Sequence, residues 1–143
     1  TAKPIIARMT THFIAKKVVQ ALIENGRNPG ECRVLVMGIT FKEDVAAIRN
    51  SKVVDLIREL EDYSVTIDVI DPHASVEEVK NQYNIDLKRE PEGKYDAIIV
   101  AVGHKEYVAT SYENLLALSG KEAIVFDIKG ILKIAPHMRY LRL

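Results

Sequence analysis

The part of this chain with the densest chemistry is Arg33-Val-Leu-Val-Met-Gly-Ile-Thr-Phe-Lys-Glu-Asp-Val-Ala-Ala-Ile-Arg-Asn-Ser51. A β-type apolar run, Val34 to Ile39, empties into a loop carrying Thr40, Lys42 and Arg49, and a helical pattern restarts at Asn50-Ser51. In an open α/β sheet such a loop lies outside the carboxyl end of a strand, where these folds bind ligands. Two cations and a hydroxyl beside a helix start with free N–H groups form a cradle for phosphate. The alternative is a solvated loop with ordinary surface charges.

Other strand exits add to this edge. Asp127-Ile-Lys-Gly130 ends a later strand and brings Lys129 toward the same rim, so three cations converge on it. Lys42 offers a point charge, whereas Arg49 offers a forked donor suited to phosphate oxygens. Only Gly38 stands where a Gly-x-Gly-x-x-Gly fingerprint would be, so side chains rather than glycine backbone would have to hold any phosphate. Asp71, in Asp71-Pro72-His73, is placed to hold ribose hydroxyls or to form a turn, and the turn is favoured. His73 has no partner that the sequence reveals. His104 is placed either to donate to a substrate or to cap a short helix.

The bulk properties limit the field. The 143 residues suit one domain with a proper core, and equal counts of Lys+Arg and Asp+Glu, 20 each, leave no net field to attract nucleic acid or an anionic membrane. No apolar run reaches the length of a membrane span and no signal-peptide pattern occurs, so a cytoplasmic protein is expected. The single cysteine, Cys32, excludes an internal disulfide and a multi-cysteine metal site, and its place before the first strand suits packing rather than nucleophilic attack. No metal ligand set is expected. The start at Thr1, directly before an apolar segment, suggests a piece of a longer protein.

The positioning elements follow from periodicity. Residues 5–24 read as a helix, with Ile6, Met9 and Phe13, then Ile14, Val18 and Leu22, at three- and four-residue steps. Strands are predicted over Arg33–Ile39, Val65–Asp71, Asp96–Val102 and Ala123–Ile128, with Ile85-Asp-Leu87 as a short fifth or edge piece. Their continuous Val/Ile/Ala content fits parallel strands buried on both faces. Helices are predicted over Ser51–Tyr63, capped by Asn50 or Ser51, after a Ser75–Glu78 capping pattern, and over Ser111–Leu118. The fold class is α/β, a Rossmann-like doubly wound parallel sheet sandwiched by helices and preceded by an N-terminal connector helix.

These residues resemble a known family. Gly38-Ile-Thr-Phe-Lys-Glu-Asp-Val-Ala-Ala-Ile-Arg-Asn-Ser51 is similar to the signature opening the C-terminal domain of the UDP-glucose/GDP-mannose dehydrogenases. Val69-Ile-Asp-Pro72, Tyr95-Asp-Ala-Ile-Ile-Val-Ala-Val102 and Phe126-Asp-Ile-Lys129 occur in the family's order, and the likeness runs from about residue 33 to about 132. Val102-Gly-His-Lys-Glu-Tyr107 looks closer to the branch acting on UDP-N-acetylhexosamines. The chain departs from the family in Val45, Ala46 and Ala47, where Thr and acidic residues are common, and in Lys52, where Pro is frequent.

The resemblance implies an NAD-dependent oxidation of the C6 alcohol of a UDP-sugar to a uronate, serving surface polysaccharide biosynthesis. It implies that Thr40, Phe41, Lys42 and Lys129 bind the nucleotide sugar. Arg49 would reach the pyrophosphate of an NAD held mainly by a missing N-terminal domain. Residues 1–30 would be the connector and turn from a missing central domain, and 31–143 the C-terminal nucleotide-sugar-binding domain of a homodimeric parent's subunit. The family's catalytic cysteine has no match here, so the chain alone is expected to be inactive. Two other functions are weighed: a non-catalytic receiver-like module, which shares the sheet topology, and an assembly module in which the apolar N-terminal helix dimerises.

Overall fold

The apolar runs become neighbouring parallel strands. The computed structural model describes residues 2–110, 112–132 and 139–142, with side chains for 10–110, 113–120, 122–132 and 141. The strands are β1 (Arg33–Met37), β2 (Thr66–Ile70), β3 (Leu87–Lys88), β4 (Tyr95–Val100), β5 (Ser119–Asp127) and β6 (Arg139–Arg142). Among the described residues they form one sheet in the order β3-β2-β1-β4-β5-β6, with every neighbouring pair parallel. This is the strand order of the Rossmann fold, not the 2-1-3-4-5 order of receiver-like sheets. The expected doubly wound class is what forms.

Side-chain alternation divides the core between two faces. Val34, Val36, Ala97, Ile99, Ile124 and Phe126 point to one layer, where they meet α1 (Ala2–Glu24), α2 (Lys52–Glu61) and Val79 of α3 (Val76–Tyr83). Leu35, Met37, Ile98, Val100 and Val125 point to the other, against Tyr107 of α4 (Lys105–Val108) and Leu115 of α5 (Tyr112–Leu118). Ser111, the expected first residue of that last helix, lies outside the described residues.

α1 starts earlier than its predicted residue 5, and the side chains of Ile6 and Met9 lie outside the described set. From Ile14 onward α1 belongs to this domain's core: Ala15, Val18, Val19 and Leu22 are buried against the sheet layer, while Phe13 remains exposed. Ser75 caps α3 by accepting the Glu78 N–H at 3.3 Å, and left-handed Asn84 ends it. Ser51 occupies the N-cap of α2, as expected, but its side chain makes no capping bond.

Two strands differ from expectation. The edge piece is Leu87–Lys88, displaced from Ile85–Leu87. β6 was not anticipated, because Arg139-Tyr-Leu-Arg142 lacks the apolar continuity of the inner strands. Edge strands tolerate charge, which weakens their sequence signal. β5 also begins at Ser119, ahead of the predicted Ala123, with a bulge where its pairing with β4 slips between Tyr95 and Ala97.

Candidate functional site

The chain leaves β1 toward one side of the sheet and later returns to β4 on the other, so the switch point lies between their carboxyl ends. There Gly38 adopts φ +103°, with its N–H donating to Ile70 O at 2.8 Å. The loop beyond it is closed by Phe41 N–H donating to Ala47 O at 2.7 Å. Three neighbouring strand exits are then tied together by side chains.

Asp71 is the knot. Its Oδ2 accepts Ile39 N–H at 2.7 Å and Thr40 N–H at 3.2 Å, and its Oδ1 accepts His73 N–H at 2.8 Å and Ala74 N–H at 3.2 Å. The expected turn role is therefore correct. The ribose role has no free carboxylate to serve it, because the Asp71 side chain is wholly enclosed. Burial alone would raise its pKa, but the N–H groups of Ile39 and His73 and the His104 ring outweigh burial and hold the carboxyl below its ordinary range.

His104 is equally enclosed, and the sequence reading missed its part. Nδ1 accepts Asp44 N–H at 2.9 Å. A backbone N–H can only donate, so the ring proton sits on Nε2. Nε2 then donates toward Asp71 Oδ2 at 3.0 Å and Thr40 Oγ1 at 3.1 Å. The Thr40 hydroxyl donates in turn to Lys42 O at 2.9 Å, and Asp44 Oδ1 accepts Lys105 N–H at 2.8 Å. His104 does stand at the N-cap of the short helix α4, one of its two expected roles, but it caps through its backbone carbonyl, which accepts the N–H groups of Tyr107 and Val108, while its ring is committed to the network. The signal that could have found it is an Asp and a His each just past a buried strand, but the strand order is needed to see that they meet.

His73, for which the sequence offered no partner, lies 3.0 Å from Glu106 through Nε2 and packs against His104 with ring centroids 4.5 Å apart and the planes tilted by 42°. Glu106 is held below the ordinary carboxyl range by its own backbone N–H and then by His73. Burial, with the charges of Asp71 and Glu106 adding, pushes the Tyr107 phenol far above its usual range, so it stays protonated and donates to Ile70 O at 3.4 Å. Atoms of Asp44, His73 and His104 come within 4.8 Å of one another, a spacing that a metal could exploit. Yet His104 Nδ1 already accepts the Asp44 N–H and its Nε2 proton is committed to Asp71 and Thr40, so any ion would have to displace hydrogen bonds. The cluster is a hydrogen-bonded network.

The predicted binding residues differ in how they relate to this network. Thr40 is buried, its hydroxyl spent between His104 and Lys42 O, whereas Phe41 and Lys42 are exposed on the loop it supports. Lys129 is exposed after β5, and its stem runs beside Gly103, the residue before His104: a Cβ on Gly103 would lie 3.9 Å from Lys129 Cβ. Arg49 is exposed at the far end of the loop, next to Ile48, whose carbonyl accepts the Tyr83 hydroxyl. Beside it, at the start of α2, Ser51 Oγ is buried without a partner among the described residues. A hollow of about 270 Å³ adjoins the network, its lining including Met37, Ile70, Asp71, Arg89, Glu106 and Tyr107. Cys32 is buried, its thiol donating to Asn28 O at 3.3 Å, and burial followed by the charge of Asp96 raises its pKa, leaving it a neutral packing residue.

By class, this is a doubly wound α/β domain whose switch-point edge carries exposed lysines on loops fixed from beneath. The chain belongs to the UDP-glucose/GDP-mannose dehydrogenase family, matching its UDP binding domain over residues 35–134. It is 38% identical over 121 residues to a UDP-N-acetyl-D-glucosamine 6-dehydrogenase of Pseudomonas aeruginosa, covering 84% of this chain and 29% of that protein. It is also 38% identical over 123 residues to Protein CapL of Staphylococcus aureus, covering 84% of this chain and 28% of CapL. The chain thus spans under a third of the length of these relatives. In fold it is similar to an NDP-N-acetyl-D-galactosaminuronic acid dehydrogenase from Methanosarcina mazei Go1, with TM-score 0.77 and 19% identity over 92% of this chain and 28% of that one. None of the described helices is long and apolar enough to cross a membrane.

Proposed function

We propose that this chain is the C-terminal nucleotide-sugar-binding domain of an NAD-dependent UDP-sugar 6-dehydrogenase, acting on a UDP-N-acetylhexosamine for surface polysaccharide synthesis. The observation that carries the reading is the presentation of Lys42 and Lys129, from the loops after β1 and β5, on either side of the β4 exit loop. Two ammonium groups on one switch-point edge suit the two phosphates of UDP, and exposed Phe41 beside Lys42 gives an apolar surface for the nucleotide. The 38% identity to a UDP-N-acetyl-D-glucosamine 6-dehydrogenase supports the choice of sugar.

NAD would be held mainly by a domain in the rest of the enzyme. Arg49, beside the start of α2 and the Ser51 hydroxyl, which has no partner among the described residues, is suited to reach its pyrophosphate across the interface. The reacting cysteine would also lie elsewhere, so this domain contributes binding and closure, not turnover. Exposed Phe13 and Ile23 on α1 would face the central domain of a homodimeric parent, working in the cytoplasm where NAD and nucleotide sugars are available. Calorimetric titration of UDP and UDP-N-acetylglucosamine tests the reading. Binding should weaken about tenfold in Lys42→Ala and fall as salt rises. No heat at millimolar ligand, or affinity untouched by Lys42→Ala and Lys129→Ala, would overturn it.

A further inference from the structure

We infer that the buried Asp71–His104 pair is the positioning element of the substrate site, locking the Thr40–Asp44 loop so that Lys42 is held ready for a diphosphate. This deepens the reading above and rests on Lys42 being a diphosphate ligand.

The loop is gripped at both ends by one continuous set of hydrogen bonds. At its start, Asp71 Oδ2 takes the N–H groups of Ile39 and Thr40. At its end, His104 Nδ1 takes the N–H of Asp44, whose φ of +58° turns that N–H inward. His104 joins the two grips, because its Nε2 proton is shared between Asp71 Oδ2 and Thr40 Oγ1. From outside, Asp44 Oδ1 fastens the same corner to α4 through Lys105 N–H. Thr40 Oγ1 bonds the carbonyl of Lys42 itself, so the network reaches the backbone of the proposed ligand residue.

The chemistry demands an acceptor on one side of the ring and a donor on the other, at fixed separation. Neutral imidazole provides this, and no charge need be buried beyond the Asp71 carboxylate. A lysine on a loop without such anchoring would lose ordering entropy on every binding event. Holding the loop in advance removes that cost.

The test uses the 143-residue chain. Long-range proton–nitrogen correlation should show His104 protonated on Nε2 alone. Backbone relaxation and amide exchange should show residues 41–44 as ordered as the strand ends. His104→Ala should free these amides and weaken UDP binding about tenfold. His104→Asn, whose amide oxygen stands where Nδ1 stood, should recover part of both effects. Asp44→Gly, a surface change compatible with the left-handed backbone there, should loosen the loop and weaken UDP modestly even if the His104 variants fold poorly.

A ring protonated on Nδ1, or loop amides unmoved in folded His104 and Asp44 variants, overturns the inference. So does a loosened loop with unchanged UDP affinity when Lys42→Ala weakens UDP in parallel. If Lys42→Ala has no effect on UDP, the diphosphate reading falls instead, and the ring tautomer and loop amides alone decide whether the clamp exists.

Discussion

A Cβ added to Gly38 would stand 2.6 Å from Val102 Cβ and 3.1 Å from Val102 N, so the β1 and β4 exit loops touch at a position that has no room for a side chain. The φ of +103° there adds a second demand for glycine. Gly38→Ala should therefore cost about 3 kcal/mol or more, from backbone strain plus overlap with a rigid β-branched neighbour. Urea unfolding of the variant measures this directly. An unchanged midpoint would mean that the two loops do not approach as closely as described.

Asp71 should make the domain acid-sensitive. Its carboxyl is held below the ordinary 3.8, so the unfolded chain binds that proton more readily than the folded one. The stabilisation is then complete above about pH 4 and is lost as pH falls through the folded value. Asp71→Asn should destabilise the chain by about 3 kcal/mol at pH 7, since an amide NH2 must face backbone donors. The same substitution should flatten the acid limb. Denaturant melts at pH 7, 4 and 3 check both parts, and an Asp71→Asn chain as acid-sensitive as the parent would refute the assignment.

The sequence made the strands of the sheet centre legible, because strands buried on both faces must be continuously apolar. It also made the Asp71 turn and the Ser75 cap legible, since both are local bonds within three residues. The His104 knot was hidden for the opposite reason. Its partners Thr40, Asp44 and Asp71 are 33 to 64 residues away, and only the strand order brings them together. Thr40 shows the limit of reading residue types. A hydroxyl beside two cations suggests a ligand, and what residue type alone does not reveal is that this hydroxyl is buried and bonded to Lys42 O and His104. Ser51 was placed correctly as a cap position, but not its missing bond, which depends on a side-chain rotation that no pattern encodes.

At the opposite edge of the sheet, Asp68 should carry a measurable share of stability. Its Oδ2 accepts from Arg33 Nη2 at 3.0 Å and from the Tyr95 hydroxyl at 2.7 Å, while the guanidinium lies 4.6 Å from the Tyr95 ring centre. Burial, then the bond to Asp68, raises the Tyr95 phenol pKa and keeps it a donor. Asp68→Ala should cost about 2 kcal/mol. Arg33 is partly exposed and keeps the carbonyls of Glu92 and Lys94, so the loss stays in that range. Combining it with Tyr95→Phe should give less than the sum, by about 1 kcal/mol. Strict additivity would show that the two side chains do not share the bond.

The N-terminal helix gives the sharpest contrast between neighbouring positions. Leu22 is 1% exposed and lies in the core cluster with Val18, Leu56 and Phe126, whereas Phe13 on the same helix is 47% exposed. Leu22→Ala opens a cavity between helix and sheet and should cost about 3 kcal/mol, whereas Phe13→Ser should change stability by no more than about 0.5 kcal/mol. Removing residues 1–24 entirely should strip one face of the sheet and leave an aggregating or unfolded chain, which circular dichroism and size-exclusion chromatography would reveal. A truncated chain that melts cooperatively near the intact one would show that the helix serves a neighbouring domain and is dispensable to this core.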